Sequence, residues 1–392
     1  MPGRDFVQNP GPTNIPDRIL EAFRRPSVDF NSPEFAELVN GIWADLEPLF
    51  GAYRVAAYPS VGHGSWEATL VNLLEPGQRF LLPMSGLFSM RWGDMAESLG
   101  FGYEPVAVDS RRAPNPEAIH DALVKDKDHQ LAGVFVAHAE TSTGTLADLA
   151  AIRSAIDAAG HPALFVVDAI ASFATDSVPM AELGIDVVLA SSQKGLMMPP
   201  GLSFAGLSER AVAHNKTVST PRSFWSWTER IDPEWVYQRF GGTPPEQHLF
   251  ALRAALDLIA EEGGIDAVTT RHRRLAGAVH AAIEMWGKSG PFEINAIEPS
   301  ERSSAVTAVL ADGIDVAELI STSRDLFHVS IAGGMLEMRG RGFRIGHLGD
   351  LNEPMLLGAL GGIECAIRQL GIPHESGLEA AVRSLTQAQS GR

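Results

Sequence analysis

Short apolar runs recur along the first half of the chain and alternate with segments of helical periodicity. Several of these runs are apolar at almost every position, which is typical of strands that helices cover on both faces. Strands are therefore predicted at 53–59, 79–83, 104–109, 131–139, 163–170, 186–192 and 202–208, and helices between them at 65–74, 88–100, 115–126 and 148–160. Strands that alternate with helices build a largely parallel sheet, so the pattern predicts an α/β fold.

The pattern changes after about residue 245. A long helical stretch over 246–290 predicts a connection into a second lobe. Beyond it, strands are predicted at 303–310, 327–332 and 343–349, and two terminal helices begin near Glu353 and Gly377. We expect an N-terminal segment (1–17), a large domain (18–259) and a smaller α+β C-terminal domain (260–392).

Charge and composition exclude several classes of partner. The 392 residues carry 31 Lys and Arg against 48 Asp and Glu, a formal net charge of -17, and such an acidic surface repels nucleic acid and anionic membranes. The N-terminus lacks an apolar signal segment, and no apolar run is long enough for a membrane span. The single cysteine, Cys365, excludes an internal disulfide framework and clustered thiols for zinc. We therefore expect a cytoplasmic protein without a metal site.

Polar residues directly follow four of the predicted strands. In open α/β sheets, ligands bind beyond the carboxyl ends of the strands. The four segments are YPSVGHGSWE, VAHAETSTG, VVDAIAS and LASSQKGLMMPPG. Together they supply a glycine-rich turn, a hydroxyl cluster, a carboxylate and a lysine, so the sequence predicts a functional site at this edge.

Lys194 follows one of these strands and precedes the apolar run GLMMPPG. Dry surroundings lower the pKa of an amine and raise its nucleophilicity. Such a lysine can form a Schiff base. A solvated loop lysine is the more common alternative, but the flanking Met197 and Met198 argue against it.

Two further features support this site, and each has a structural alternative. Asp168 closes the strand ALFVVD, where a carboxylate could pair with a pyridinium nitrogen or simply cap a following turn. The turn over residues 60–65 lies between a strand and a helix, so its amides and the helix dipole can hold a phosphate. The glycines in that turn could equally serve a tight bend.

Arg344 lies inside the apolar strand GFRIGHLG. Burying a guanidinium is costly unless it meets an anion, and a carboxylate can bind it through two parallel hydrogen bonds. We therefore favour a substrate carboxylate as its partner, and a structural ion pair is the alternative.

Taken together, NPGPTNIPDRIL, PSVGHGSWEA, HAETSTG, VVDAIAS, SSQKGLMMPPG, the TPPE turn and FRIGHLGD resemble the class V aminotransferases, in particular the serine-glyoxylate and alanine-glyoxylate branch. These segments run in family order from residue 9 to residue 350. The resemblance implies fold type I, with a large domain on a mostly parallel seven-stranded sheet, and pyridoxal 5'-phosphate as cofactor. It also implies a homodimer with active sites at the subunit interface, to which the N-terminal segment contributes.

The resemblance also assigns roles to individual residues. Lys194 carries the cofactor and Asp168 contacts its pyridine nitrogen. The other cofactor-binding residues are Gly62, His63 and Gly64 at the phosphate, Gln193 as a side-chain contact, Phe88 and Ile170 on the two ring faces, Thr141 near the cofactor oxygen, and Thr243 at the phosphate of the neighbouring subunit. The substrate-binding residues are Arg344, Thr13 and Asn14.

The sequence departs from the family pattern in three places. Phe88 holds the ring-stacking position, where some relatives have a tryptophan. Phe240 and two glycines stand where relatives place a tyrosine before the Thr-Pro-Pro turn, so a phenolic contact to the phosphate is missing unless Tyr237 replaces it. Arg339 and Arg341 add positive charge near Arg344. Either could bind a second substrate carboxylate, although solvated surface arginines are the more common alternative.

Transamination is the predicted reaction, from a small L-amino acid (serine, alanine or aspartate) to a 2-oxo acid, with glyoxylate favoured and pyruvate as an alternative acceptor. A lyase such as a cysteine desulfurase is a second hypothesis, but it needs a thiol near the site, and Cys365 lies in a predicted helix beyond Arg344. A cofactor-binding protein without turnover is the third. The intact lysine, aspartate and arginine argue against it.

Overall fold

The computed structural model describes residues 3–387. Its strands are β1 Phe6–Gln8, β2 Arg54–Tyr58, β3 Arg79–Met84, β4 Gly102–Ala107, β5 Leu131–Ala137, β6 Ala139–Glu140, β7 Thr145–Leu146, β8 Leu164–Asp168, β9 Val187–Ser191, β10 Ser203–Leu207, β11 Phe292–Ile294, β12 Val306–Ala311, β13 Val329–Gly333 and β14 Gly342–Gly346. Its α-helices are α1 Asp17–Phe23, α2 Pro33–Phe50, α3 Gly62–Leu73, α4 Leu87–Ser98, α5 Pro116–Lys125, α6 Leu149–Ala158, α7 Glu209–Asn215, α8 Thr228–Ile231, α9 Glu246–Glu262, α10 Ile265–Trp286, α11 Val316–Phe327, α12 Glu353–Gln369 and α13 Leu378–Gln387.

The large sheet has the order β2-β10-β9-β8-β5-β3-β4. Its neighbouring strands are parallel except that β10 runs antiparallel to both β2 and β9. Each of the seven strands overlaps an apolar run of the sequence. The prediction of a mostly parallel seven-stranded sheet is confirmed.

Helices cover both faces of this sheet, which explains why its strands are apolar at nearly every position. In β8, Phe165 and Val167 belong to the core that also contains Trp43. Leu164 and Val166 belong to a second core with Trp66. Successive side chains of a strand point to opposite faces, so both sets must be apolar when both faces are covered.

The second lobe is built on a five-stranded sheet of order β1-β13-β14-β12-β11. Only β1 and β13 are parallel, and the other pairs are antiparallel. The core of this lobe lies around Trp286, Phe343 and Ile363. Glu364 is buried there and accepts hydrogen bonds from the indole nitrogen of Trp286 (3.2 Å) and the amide of Gly377 (2.9 Å). Because β1 pairs with β13, residues 6–8 of the N-terminal segment are fixed to the C-terminal lobe.

The helical stretch predicted over 246–290 is two helices rather than one. Gly263 and Gly264 have φ of +111° and +86°, a backbone conformation that ends α9 before α10 begins. Helix α2 was not predicted, although Ser32 caps it by accepting a hydrogen bond from the amide of Phe35 (3.2 Å). The signal in the sequence was the Ser-Pro start followed by buried residues at helical spacing.

The boundaries proposed at residues 17 and 259 stay a prediction. The core of the large sheet extends to Val268 and that of the second lobe begins at Leu275, so the change of core falls within α10. Among residues 3–387, no helix is both long and apolar enough to cross a membrane.

Candidate active site

A cavity of about 380 Å³ lies at the carboxyl edge of the large sheet. The ends of β5, β8 and β9 and the first turn of α3 supply much of its wall. Most of the residues predicted for the site line it, namely Gly62, His63, Phe88, Thr141, Asp168, Ile170, Gln193 and Lys194. The parallel strands therefore bring together side chains that are far apart in the sequence.

Lys194 lies in the turn that follows β9 and hydrogen-bonds through Nζ to the carbonyl oxygen of Pro10. Burial and, to a smaller extent, the charge of Arg344 lower the pKa of the amine to about 8, while Asp168 opposes the shift. Met197 and Met198 next to it are buried, as expected from the apolar sequence. A lysine with such a pKa is partly neutral near pH 8 and can act as a nucleophile or a base.

The turn around Lys194 is fixed by hydrogen bonds. Ser192 donates through Oγ to the carbonyl of Pro199 (2.8 Å) and accepts from the amide of Leu202 (3.2 Å). Ser191 donates through Oγ to Oε1 of Gln193 (2.6 Å). The amide nitrogen of Gln193 therefore remains available as a donor beside the cavity.

Asp168 ends β8 and is buried. Its Oδ1 accepts from the amide of Ile170 (2.8 Å) and its Oδ2 from the indole nitrogen of Trp66 (2.9 Å). Burial raises the pKa of Asp168 to about 6, while the two hydrogen bonds and Lys194 oppose this shift. Two donors leave acceptor capacity on the carboxylate for a ligand.

The first turn of α3 approaches Ile170 closely. A Cβ on Gly62 would lie 2.5 Å from Cδ1 of Ile170, and a Cβ on Gly64 would lie 2.5 Å from Oγ of Ser60. A side chain at either position would therefore force its neighbour to shift. Val61, the residue before the helix, offers no side-chain cap, and the amide of Gly64 donates to the carbonyl of Val61 (2.8 Å). The amides of Gly62 and His63 and the helix dipole remain for an anion.

Arg344 is buried in β14, as its position in an apolar run suggested. Its Nε donates to the carbonyl of Gly333 (2.9 Å) and its Nη1 to that of Thr141 (3.0 Å). Among the described residues, Arg344 forms no ion pair. Its remaining donors are free of side-chain partners, so the structural ion pair considered as an alternative is absent from residues 3–387.

The N-terminal segment reaches the cavity through its backbone rather than through the predicted side chains. Gly11 and Pro12 line the cavity, and a Cβ on Gly11 would lie 2.6 Å from Nζ of Lys194. Thr13 donates through Oγ1 to the carbonyl of Lys194 (3.4 Å), and Asn14 donates to the carbonyl of Val7 (3.3 Å). The substrate-binding role of these two side chains stays a prediction.

Other predicted residues lie away from the cavity. Thr243 is exposed, and its contact with a neighbouring subunit stays a prediction. Phe240 is buried against Trp43, with ring centroids 5.7 Å apart, and Tyr237 is exposed. Arg341 pairs with Asp312 at 2.8 Å on the surface. That pairing supports the surface alternative for Arg341.

Sequence reasoning missed Trp66 and Glu140. Trp66 lies one turn into α3, stacks on Trp92 and orients Asp168. Glu140 is a buried carboxylate beside Thr141. Their signals were a tryptophan at helical spacing from Gly62 and an acidic residue within an otherwise uncharged segment, but neither pattern identifies its partner.

The side chains around this cavity fit pyridoxal phosphate. The cavity offers an amine with a lowered pKa and a buried carboxylate with spare acceptor capacity. Uncapped amides at the start of α3 suit a phosphate group, and Phe88 and Ile170 offer apolar walls. Each part of the cofactor therefore has a chemically matched group in the wall.

Comparison with known proteins agrees with this geometry. The family model described as Aminotransferase class-V matches residues 62–333. A serine-glyoxylate aminotransferase from Hyphomicrobium methylovorum is 39% identical over 368 residues, which are 93% of this chain and 89% of the relative. An L-aspartate-glyoxylate aminotransferase from Paracoccus denitrificans is 34% identical over 388 residues, 97% of this chain and 96% of the relative. The crystal structure of pyridoxamine-pyruvate aminotransferase from Mesorhizobium loti is similar with a TM-score of 0.88 and 26% sequence identity, and the match covers 98% of each chain.

This chain belongs to the class V aminotransferases. It is a pyridoxal-phosphate-dependent transaminase of fold type I, with amino acids and 2-oxo acids as substrates. The expected family, fold class, cofactor and reaction type are confirmed.

Replacing Lys194 by alanine tests the predicted role of its amine. We expect Lys194→Ala to abolish steady-state transamination while thermal unfolding shifts by only a few degrees, because the change removes a reactive group but little core volume. Lys288→Ala is the matched control, since Lys288 is exposed in the second lobe. Sustained turnover by Lys194→Ala without added amine would contradict the assignment.

Proposed function

We propose that this enzyme transfers the amino group of a small L-amino acid (serine, alanine or aspartate) to glyoxylate. The observation that carries the proposal is Arg344, a buried guanidinium that donates to the carbonyl of the cavity-lining Thr141 and has no acidic partner among residues 3–387. Amino donor and oxo acceptor share one group, a carboxylate next to the reacting carbon. A single arginine can therefore bind both in turn through two parallel hydrogen bonds.

The identity of the substrates rests on the size of the cavity and on the relatives. The cavity of about 380 Å³ must hold cofactor and substrate together, which favours small side chains. The relatives from Hyphomicrobium methylovorum and Paracoccus denitrificans are named for serine and aspartate as donors, and both are named for glyoxylate. These names support glyoxylate over pyruvate as the acceptor.

Each of these side chains has one role in the proposed mechanism. When bound, pyridoxal phosphate supplies an electron sink for the pair of electrons left at the donor's α-carbon. Nζ of Lys194 takes the proton from that carbon, and its lowered pKa leaves it able to accept one near pH 8. Asp168 offers a fixed negative charge, oriented by Trp66, that favours a protonated pyridine nitrogen. Arg344 holds the carboxylate and so directs the α-carbon toward Lys194.

The remaining predicted contacts belong to cofactor binding. The backbone amides of Gly62 and His63 and the side chain of His63 would hold the phosphate, with Gly64 in the same turn, and Gln193 would donate from its amide nitrogen. Phe88 and Ile170 would pack against the ring, and Thr141 would contact the cofactor oxygen. The helix dipole of α3 adds to the phosphate contacts because its N-terminal end carries partial positive charge.

A donor and acceptor screen tests the proposed function. We expect the highest kcat/KM with glyoxylate, and measurable transfer from at least one of serine, alanine and aspartate. Pyruvate in place of glyoxylate is the comparison that decides the acceptor. Repeated turnover of a donor alone, beyond one equivalent of product per active site and without an oxo acid, would indicate a lyase, and bound cofactor without any conversion would indicate a binding protein.

Arg344→Lys tests the carboxylate site. The variant keeps the charge but loses the planar fork, so we expect a loss of about 1.5 to 3 kcal/mol, or roughly tenfold to a hundredfold in kcat/KM, with serine and with glyoxylate alike. Arg341→Lys is the matched control, because Arg341 pairs with Asp312 on the surface. Normal amino acid binding combined with a lower unfolding temperature for Arg344→Lys would assign the residue a structural role instead.

We propose that the active enzyme is a homodimer. The segment before Thr243 exposes large side chains, with 45% of Phe224, 61% of Trp235 and 43% of Tyr237 accessible in the single chain. Arg230 holds this segment in place by donating hydrogen bonds to the carbonyls of Ala57 (2.9 Å) and Phe224 (2.6 Å). A fixed, exposed aromatic surface is typical of protein interfaces.

Sedimentation equilibrium checks the dimer. The expected mass is twice the 42.0 kDa of one chain. A mass of one chain at the concentration used for activity would contradict the proposal and the predicted phosphate contact of Thr243 across subunits.

A further inference from the structure

Glu140 lies at the end of β6 and is 1% exposed. Its Oε2 accepts hydrogen bonds from the backbone amides of Phe88 and Ser89, both at 3.2 Å. Its Oε1 accepts from the amide (3.0 Å) and Oγ (2.6 Å) of Ser142. Among the described residues, this carboxylate forms no ion pair, so neutral donors alone replace its hydration.

Two of these donors are the first-turn amides of α4. The helix has no acidic residue in its first turn, and the preceding residue, Gly86, has no side chain to cap it. A Cβ on Gly86 would lie 2.6 Å from Cγ of Glu140, so the glycine makes room for a cap from another segment. Phe88, whose ring lines the cavity, is therefore positioned by Glu140.

Glu140 also influences the position of Arg344, the residue predicted to bind the substrate carboxylate. The next residue, Thr141, lines the cavity, and its carbonyl accepts the hydrogen bond from Nη1 of Arg344. The hydrogen bonds from Ser142 to Glu140 fix the backbone on the far side of Thr141. Burial lowers the pKa of Arg344, and the negative charge of Glu140 opposes this shift.

We propose that Glu140 is a positioning residue. Its single ionised carboxylate fixes the positions of Phe88 and Arg344 relative to Lys194. The inference rests on the proposed function, since it takes Phe88 as a wall for the cofactor ring and Arg344 as the ligand of the substrate carboxylate. Burial raises the pKa of Glu140, and the hydrogen bonds from Ser142, Ser89 and Phe88 oppose this shift and favour the ionised form. Glu140 acts without touching the reacting atoms.

Glu140→Gln is the variant that tests this role. The side chain keeps its size, but its amide nitrogen cannot accept the hydrogen bonds that one carboxylate oxygen now receives. We expect the dissociation constant of pyridoxal phosphate, measured by equilibrium dialysis, and the KM for both serine and glyoxylate to rise about tenfold. We also expect the visible circular dichroism of the bound cofactor to weaken, because the ring wall is displaced.

Glu364→Gln is the matched control for loss of a buried carboxylate. Glu364 also accepts from an indole and a backbone amide, but in the core of the second lobe. We expect it to lower the unfolding temperature without changing the dichroism, the dissociation constant or either KM. The proposal is overturned if Glu140→Gln behaves like Glu364→Gln in these measurements.

Ser142→Ala keeps the proposal testable if Glu140→Gln does not fold. This variant removes the hydroxyl that donates to Glu140 and accepts from the amide of Leu87 (2.9 Å). We expect smaller changes of the same kind, and unchanged dichroism and KM would overturn the proposal. Cofactor binding and dichroism need no substrate, so they test Glu140 even if the enzyme proves not to use glyoxylate.

Discussion

Burying charge at the carboxyl edge of the large sheet is the constraint on which the site depends. Two cations, Lys194 and Arg344, and two anions, Asp168 and Glu140, influence one another's pKa around the cavity. Each charge alone would be costly to desolvate, since an ionised group loses its hydration in a low-dielectric interior. Opposite charges and aligned backbone groups offset that cost and leave the site near electrical balance before any ligand enters. The four residues are therefore best understood as one set.

Both lobes contribute residues to this balance of charges. Lys194 and Asp168 lie on the large sheet, whereas Arg344 lies on β14 of the second sheet and reaches across to Thr141. The N-terminal segment also joins the lobes, because β1 pairs with β13 while Gly11 contacts Lys194. A movement between the lobes would therefore displace Arg344 relative to Lys194. In an enzyme that binds two substrates in turn, such coupling links carboxylate binding to the geometry at the amine.

The sequence was informative where a residue's role depends on its local position. The strands were predictable because two covered faces demand continuous apolar runs, and Lys194 and Asp168 were found because ligands bind beyond strand ends. Trp66 and Glu140 were missed because their roles depend on partners 102 and 52 residues away in the chain. The break between α9 and α10 was visible as Gly263 and Gly264, but helical periodicity on both sides hid it. Hydrophobic periodicity indicates which face of a helix or strand is buried, but not which distant residue that face contacts.

Acceptor capacity separates the two buried carboxylates of the site. An ionised carboxylate offers about four lone-pair positions. Glu140 accepts from the amides of Phe88, Ser89 and Ser142 and from the hydroxyl of Ser142, so it has no position left for a ligand.

Within the part of the chain that the structure describes, Asp168 accepts from Trp66 and Ile170 alone, and it lines the cavity. Burial raises the pKa of both groups, so the pKa alone does not distinguish them. The number of unused acceptor positions distinguishes them. Glu140, whose acceptor positions are all used, fixes the protein around it. Asp168 has positions left with which it can bind a positively charged group of a ligand.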